Sequence, residues 1–132
     1  MPLTEHELTV ALHGAAKAVL AAQSREVRKG RKDVDTVWDE MDRVQRFKLL
    51  DSLGDQLLPV LVGLPDVTVE PGTRPAFTDE QITDGVEARL GDVGGRLRRK
   101  AVVATRVALV RTALAHLPPR TDPDALLPPT DP

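Results

Sequence analysis

The sequence has no cysteine and very few aromatic residues, and both absences restrict the architecture. The 132-residue chain contains one Trp, two Phe and no Tyr. Without cysteine the chain can form neither a disulfide nor a thiolate nucleophile, and it cannot build a cysteine-ligated zinc site. With so few aromatic side chains, the core must consist of Leu, Val and Ala, which favours closely packed helices over an aromatic-filled sandwich. The composition therefore predicts an all-α protein.

The chain also lacks a strong net charge and a long apolar run. The formal net charge is −2 and the isoelectric point is about 5.9. This balance argues against nucleic-acid binding through the whole surface, although one local basic face is still compatible with it. No apolar run reaches the roughly 18 residues of a membrane span, and the N-terminal residues lack a signal-peptide pattern. We expect a soluble, cytoplasmic protein without a membrane partner.

Motifs for catalysis and ligand binding are missing as well. His6 and His13 are too far apart for the i, i+4 pair that helical metal sites use. The glycines of the sequence GDVGG lack the Lys-Ser or Lys-Thr pair of a phosphate-binding loop. Asp51 and Asp55 lie one helical turn apart, and we interpret them as the solvated face of a helix. We expect no enzymatic activity, no metal and no cofactor.

The densest apolar stretch spans residues 35–65 and forms the predicted core element. Its apolar residues recur at steps of three and four, a period that predicts a helix with one buried face. This predicted stripe contains Val37, Met41, Val44, Phe47, Leu50, Leu53, Leu57, Val60, Leu61 and Leu64. Trp38 lies at the start of the stripe, so we expect it to be largely buried against a neighbouring helix.

The polar residues of the same stretch predict where its helices begin and end. Asp35 is a candidate cap for a short first turn, and Asp42 with Gln45 has the capping-box spacing for a second start. The main helix is predicted over 43–58. Pro59 has no backbone N–H, which predicts a kink or a restart there before the segment ends at Pro65.

An Ala-rich helix is predicted over residues 5–24, beginning at the capping-box sequence TEHE. This helix is followed by a polar gap, then by Trp38-x-x-Met41 and by Arg46 on the next helix. The combination resembles small, mostly uncharacterised helical proteins of phages and prophages in high-GC bacteria. The resemblance implies a helical fold and a mobile-element origin, and it identifies no functional residue.

Three segments are predicted to be non-helical. Residues 25–33 form a basic connection without an apolar period, and residues 65–77 form an extended connector that contains a Pro-Gly turn. The Pro-rich residues 118–132 form an extended tail with polyproline character. The sequence thus predicts a bundle of three to five helices in a single domain over residues 1–117.

The last helical segment begins at a third capping box, Thr78 with Gln81. Glycines interrupt it at GDVGG, yet the apolar steps of three and four continue through them. The predicted buried stripe contains Val86, Leu90, Val93, Leu97, Ala101, Ala104 and Ala108. The unbroken period favours one long, kinked helix over two helices.

Two sets of residues are candidates for contact with a partner. The basic candidates are Arg28, Lys29, Arg31 and Lys32 in the connection and Arg89, Arg96, Arg99, Lys100, Arg106 and Arg111 on the last helix. The apolar candidates are Val103, Val107 and Val110, which lie opposite the alanines and are expected to be left partly bare. A slightly favoured alternative for the helical cations is a network of internal salt bridges with the acidic residues of the 43–58 helix.

These patterns favour a non-enzymatic interaction protein that presents helical faces to a protein partner or to a second copy of itself. The alternative is a small nucleic-acid-binding accessory protein that uses the basic connection and the basic face of the last helix. Salt dependence separates the two functions, because phosphate binding weakens steeply with added salt.

Overall fold

The computed structural model describes residues 2–120, and within that range it contains six helices and no strand. The helices are α1 (Glu5–Gln23), α2 (Arg25–Arg28), α3 (Val34–Glu40), α4 (Arg43–Gly63), α5 (Asp79–Arg89) and α6 (Arg96–Leu114). The all-α prediction is confirmed. The helix count exceeds the predicted range because the basic connection contains one short helix and the last helical segment is divided in two.

Side-chain caps fix the starts of α1, α4 and α5. The Thr4 hydroxyl accepts from the Glu7 backbone N–H at 3.0 Å, while the Glu7 carboxylate accepts from the Thr4 N–H at 2.9 Å. Thr78 and Gln81 form the same reciprocal pair at the start of α5. Asp42 caps α4 as predicted, accepting from the Val44 N–H at 3.3 Å. The capping boxes predicted from spacing are therefore present at α1 and α5.

Two helix ends differ from the sequence prediction. Asp33, rather than Asp35, occupies the N-cap position of α3. In addition, α4 continues through Pro59 to Gly63 instead of ending near residue 58. Pro59 removes the hydrogen bond that the Asp55 carbonyl would accept, but both residues are exposed, so water can satisfy that carbonyl.

The predicted long helix is broken between α5 and α6, and this correction changes which side of α6 is buried. Residues 90–95 are not helical, and Gly94 has a φ of +93°, a conformation that favours glycine. The apolar phase restarts after the break, so α6 buries Val110 and Ala113. Leu97 is 83% exposed. The predicted stripe residues Ala101, Ala104 and Ala108 are likewise exposed.

Small residues of α1 allow the other helices to pack closely against it. Ala11, Ala15 and Ala16 are fully buried, and α1 contacts both α4 and α6. A Cβ atom built on Gly14 would lie only 2.2 Å from Cγ of His116, so the imidazole ring rests on the α1 backbone. The Ala-rich stripe thus faces the neighbouring helices α4 and α6. The buried apolar cluster also contains Leu3, Trp38, Leu53, Leu57, Val60, Leu61, Leu64, Ile82, Val86, Val110, Ala113 and Leu117.

Trp38 attaches the short helix α3 to α1. Its side chain is 8% exposed, which confirms the predicted burial. The indole ring meets the His13 imidazole edge-on, with 5.9 Å between the ring centroids. At the periphery, Lys17 Nζ lies 2.7 Å from Asp35 Oδ1 in an exposed salt bridge. The aromatic contact and its burial hold α3 in place, since an exposed pair of this kind contributes little.

A buried carboxylate joins the two ends of the described chain. Glu7 is 4% exposed and forms a two-pronged salt bridge with Arg120, whose Nε and Nη2 lie 2.9 and 2.8 Å from the carboxylate oxygens. Arg120 Nη2 also donates to the Pro2 carbonyl at 2.8 Å. The Arg120 hydrogen bond lowers the pKa of Glu7, assisted by the Thr4 backbone N–H and opposed by burial. Glu7 is therefore charged in the folded protein at neutral pH.

The connector between α4 and α5 is extended, as predicted, and the same arginine holds it. Residues Glu70 to Thr73 form a turn in which Gly72 has a φ of +83°, as the third position of a type II turn requires. The Gly72 N–H donates to the Arg120 carbonyl at 2.6 Å, and the Arg120 N–H donates to the Thr73 carbonyl at 2.8 Å. Arg74 adds a hydrogen bond to the Ala115 carbonyl at 2.7 Å.

Residues 121–132, the greater part of the predicted Pro-rich tail, lie outside the described residues. Within residues 2–120, no helix is both long enough and apolar enough to span a membrane.

Replacing Trp38 with Ala should lower the free energy of unfolding by about 3 to 5 kcal/mol, because the substitution leaves a large cavity between α3 and α1. Urea unfolding followed by far-ultraviolet circular dichroism measures the loss. Phe47→Ala is the matched control, since Phe47 is 68% exposed, and it should change the stability by no more than about 0.5 kcal/mol. Equal losses in the two variants would contradict the burial of Trp38.

Replacing Glu7 with Gln should destabilise the protein by about 1 to 3 kcal/mol at pH 7, because the neutral amide loses the charged pair with Arg120. The pKa of Glu7 is depressed below its ordinary value of 4.5, so the unfolded chain binds the proton more tightly. The stabilisation is thus complete above pH 4.5 and disappears as the pH falls through the folded pKa.

The difference in unfolding free energy between wild type and Glu7→Gln should consequently shrink under acid conditions. Urea titrations at neutral pH and at about pH 3 measure it. Glu5→Gln is the control, because Glu5 is an exposed residue of the same first turn. A difference that stayed constant with pH would show that the charge of Glu7 does not stabilise the fold.

Candidate partner-binding groove

A groove of about 630 Å³ runs between α5 and α6. The α6 side chains that line it recur at steps of three and four, so they form one face of the helix. Cations occupy its edge and small apolar residues occupy its floor. The cations are Arg96, Arg99, Lys100 and Arg111, and the apolar residues are Val103, Ala104, Val107 and Ala108. Thr83 and Glu87 form the opposite wall on α5.

The structure brings together residues that the sequence placed in two separate candidate sets. Four of the six predicted helical cations line the groove, and Val103 and Val107 lie between them. These valines are half-buried and pack against the core with one side while their other side faces the groove. The groove is therefore a basic channel with an apolar floor.

Arg89 and Arg106 do not belong to this surface. Arg89 lies on α5 with its guanidinium over the α4 backbone, 2.9 Å from where a Cβ on Gly63 would be. Arg106 lies on the α4 side of α6, where it lines a small cavity together with Gln56. The prediction of one continuous basic sector is therefore wrong for these two residues. The break separates Arg89 on α5 from the phase of α6, whereas Arg106 lies at the edge of the α6 sector that faces α4.

Val110 is a core residue rather than an interface residue. It is fully buried and belongs to the main apolar cluster. The sequence analysis expected Val103, Val107 and Val110 to be bare because it assigned the core to the opposite, alanine-lined side of the helix. The restart at Gly95 turns the valine side inward and leaves the alanines exposed.

The groove cations are not neutralised by α4, which corrects the favoured alternative of an internal salt-bridge network. Within residues 2–120, the single salt bridge that involves α6 joins Arg111 to Asp79 at the start of α5. Arg99 instead donates to the Gly91 carbonyl at 3.1 Å and thereby braces the 90–95 break. Arg96 and Lys100 form no salt bridge with any other residue in that range. Two full positive charges are therefore available at one end of the groove.

The cations of the basic connection lie apart from the groove and are partly paired. Lys32 Nζ lies 2.8 Å from Glu40 Oε2, and this hydrogen bond raises the pKa of the lysine. Arg31 has a longer contact of 4.0 Å with Glu26. Arg28 and Lys29 are exposed at the end of α2, and none of the four connection cations lines the α5–α6 groove.

The histidines and carboxylates of the described part of the chain are spread over several elements. No group of three or more His, Asp or Glu side chains there is placed to hold a metal ion. His116 binds the end of α6 through a 2.8 Å hydrogen bond from Nδ1 to the Thr112 carbonyl, as expected for a residue near free helix carbonyls.

The sequence analysis missed one further apolar surface, on α4. Val44 and Phe47 were assigned to the buried stripe, but they are 56% and 68% exposed. Val62, which was not assigned to that stripe, is 45% exposed on the same helix. The sequence contains a pattern that indicates this surface. Beside the buried stripe, a second set of apolar residues recurs at helical steps, namely Val44, Phe47, Leu58 and Val62.

The chain matches no protein-family model, no curated protein and no solved structure.

Replacing Arg96, Arg99, Lys100 and Arg106 with Gln should leave the helical circular-dichroism signal intact. The expected change in unfolding free energy is small, within about 0.5 kcal/mol for each site, because these cations have no carboxylate partner among residues 2–120. Thermal unfolding measures the effect. Loss of the folded state would show that the cations stabilise the bundle rather than serve a partner.

Proposed function

We propose that this protein is a non-enzymatic interaction protein whose α5–α6 groove binds an acidic, apolar segment of a partner protein. The observation that carries the proposal is the position of unpaired cations directly beside an apolar floor. Arg96 and Lys100 attract carboxylates, while Val103 and Val107 contact aliphatic side chains. A ligand must supply both kinds of group to satisfy the whole surface.

The same arrangement favours a protein over nucleic acid as the ligand. Valine and alanine cannot contact phosphates, and Glu87 on the α5 wall repels them. Arg111 is already paired with Asp79. Few cations are thus left to neutralise a phosphate backbone, whereas an acidic peptide with aliphatic side chains uses the entire groove.

The remaining features agree with such a function. The resemblance of the first helices to helical phage proteins favours an origin in a mobile element, where small interaction proteins of this kind act on host or phage components. A cytoplasmic location follows as part of the same proposal. The alternative function, nucleic-acid binding through the 25–32 connection and α6, predicts a different dependence on salt.

The test uses fluorescence anisotropy with a labelled short peptide in which pairs of Glu alternate with pairs of Leu. Replacing both Arg96 and Lys100 with Glu should weaken its binding by about tenfold or more, since two attractive contacts become repulsive. The matched control replaces Arg28 and Lys29 with Glu. This change alters the net charge equally but lies outside the groove, so it should have little effect.

A peptide with Lys in place of Glu and a short duplex DNA complete the set of ligands. Tight binding of the duplex, with log K falling by about 0.9 per phosphate contact for each unit of log salt, would establish the nucleic-acid alternative. Equal weakening by the groove variant and the control variant would show that attraction is non-specific and would refute the proposed site.

A further inference from the structure

The exposed face of α4 is a second apolar surface, distinct from the α5–α6 groove. Three of its large side chains, Val44, Phe47 and Val62, are 56%, 68% and 45% exposed. Phe47 and Val62 line a groove of about 680 Å³ that α4 forms with Leu12 of α1 and Arg89 of α5. Isolated exposed apolar residues are ordinary, but a line of them along one helix marks an interaction surface.

Two carboxylates interrupt this apolar line at its middle. Asp51 and Asp55 lie one turn apart and line the same groove as Phe47. Neither forms a salt bridge with another residue in the range 2–120. Any partner that covers the apolar side chains would also remove these charges from water, and an unpaired carboxylate is costly to bury. The partner must therefore bring a cation to this position.

The opposite charge lies at the far end of the groove. The guanidinium of Arg89 reaches over Gly63, near Val62, and likewise has no carboxylate partner among residues 2–120. The face thus has a fixed order along α4, with apolar residues, then negative charge, then apolar residues, then positive charge. This order restricts both the composition and the direction of a ligand.

We propose that the α4 face binds an amphipathic helix of a partner protein, with Lys or Arg at the centre of its apolar stripe and a carboxylate at one end. From Val44 to Val62 the face extends over about 27 Å, which matches a helix of about 18 residues. Gly54 lies on the groove floor with its nearest neighbours at ordinary contact distance, 3.6 and 3.9 Å from a built Cβ. Leu58 and Leu12 already cover this buried glycine, so a partner helix would pack on their side chains.

A second copy of this chain fits the face less well than a foreign helix. An antiparallel pairing of two α4 faces that sets Val44 against Val62 of the other copy also sets Asp51 against Asp55 of the other copy. Like charges at the centre of an interface oppose association. A helix with a central cation avoids this conflict, and its charge is opposite to that of the ligand proposed for the α5–α6 groove.

The experiment uses two synthetic amphipathic peptides with identical leucine positions. One carries Lys at the centre and Glu at one end, and the other carries Glu at the centre and Lys at that end. The peptide with the central Lys should bind wild type at least about tenfold more tightly. The double substitution Asp51→Lys and Asp55→Lys should reverse the preference. The fold should be retained, because both positions are exposed.

Phe47→Ser tests the apolar part of the face, with Leu97→Ser as the matched control on α6. Leu97 is the more exposed of the two at 83%, so the control removes at least as much exposed apolar surface. Phe47→Ser should weaken binding of the central-Lys peptide by about tenfold or more, and Leu97→Ser should leave it unchanged. Circular dichroism of each variant verifies the fold.

Three results would overturn the inference. These are equal affinity for the two peptides, a preference that survives the Asp51→Lys and Asp55→Lys exchange, and equal weakening by the Phe47 and Leu97 variants. A wild-type mass that doubles with concentration and returns to the monomer in Phe47→Ser would assign the face to self-association instead. Because the α5–α6 groove is itself proposed to bind acidic, leucine-containing peptides, each comparison is also made in a background with Arg96→Glu and Lys100→Glu, so that binding at that groove does not decide the outcome.

Discussion

Glu7 and Arg120 form the interaction on which the arrangement of both ends of the described chain depends. Through one guanidinium and its own backbone, Arg120 holds the N-terminal turn, the start of α1 and the connector that follows α4. The pair satisfies the buried carboxylate with charge-assisted hydrogen bonds, so it adds no unpaired charge to the interior. Because the connector is held there, α5 begins beside α6, and these two helices form the walls of the α5–α6 groove.

The break at 90–95 determines which side of α6 is buried and which side is exposed. Without the break, α6 would continue the phase of α5 and present its valines to solvent. With it, Val103 and Val107 face the core and the groove, while Leu97 and Ala101 are exposed outside the groove. Cations line this groove, whereas Asp51 and Asp55 lie at the middle of the α4 face. The two surfaces differ in charge because different helices form them. The protein thus has two exposed surfaces that differ in charge and in apolar content.

Local chemistry predicted most of the fold. The capping sequences at Thr4 and Thr78, the aliphatic composition and the Pro-Gly turn identified the helices and the connector, because each depends on neighbouring residues alone. Periodicity failed where two apolar phases coexist on one helix. Val44 and Phe47 fit the predicted α4 stripe as well as Leu53 and Leu57 do, and only packing against α1 decides which set is buried. Arg120 lies in the segment predicted as an extended Pro-rich tail, and no neighbouring residue in the sequence indicates that it pairs with Glu7.

Gly14 and His116 restrict which sequences can adopt this fold. The imidazole ring occupies the volume that a side chain at position 14 would need. Any larger residue there requires a smaller one at position 116, so the two positions must vary as a pair. In a collection of related chains, a reciprocal exchange of size between these positions would mark the proteins in which the C-terminal end of α6 meets the middle of α1 at the same distance.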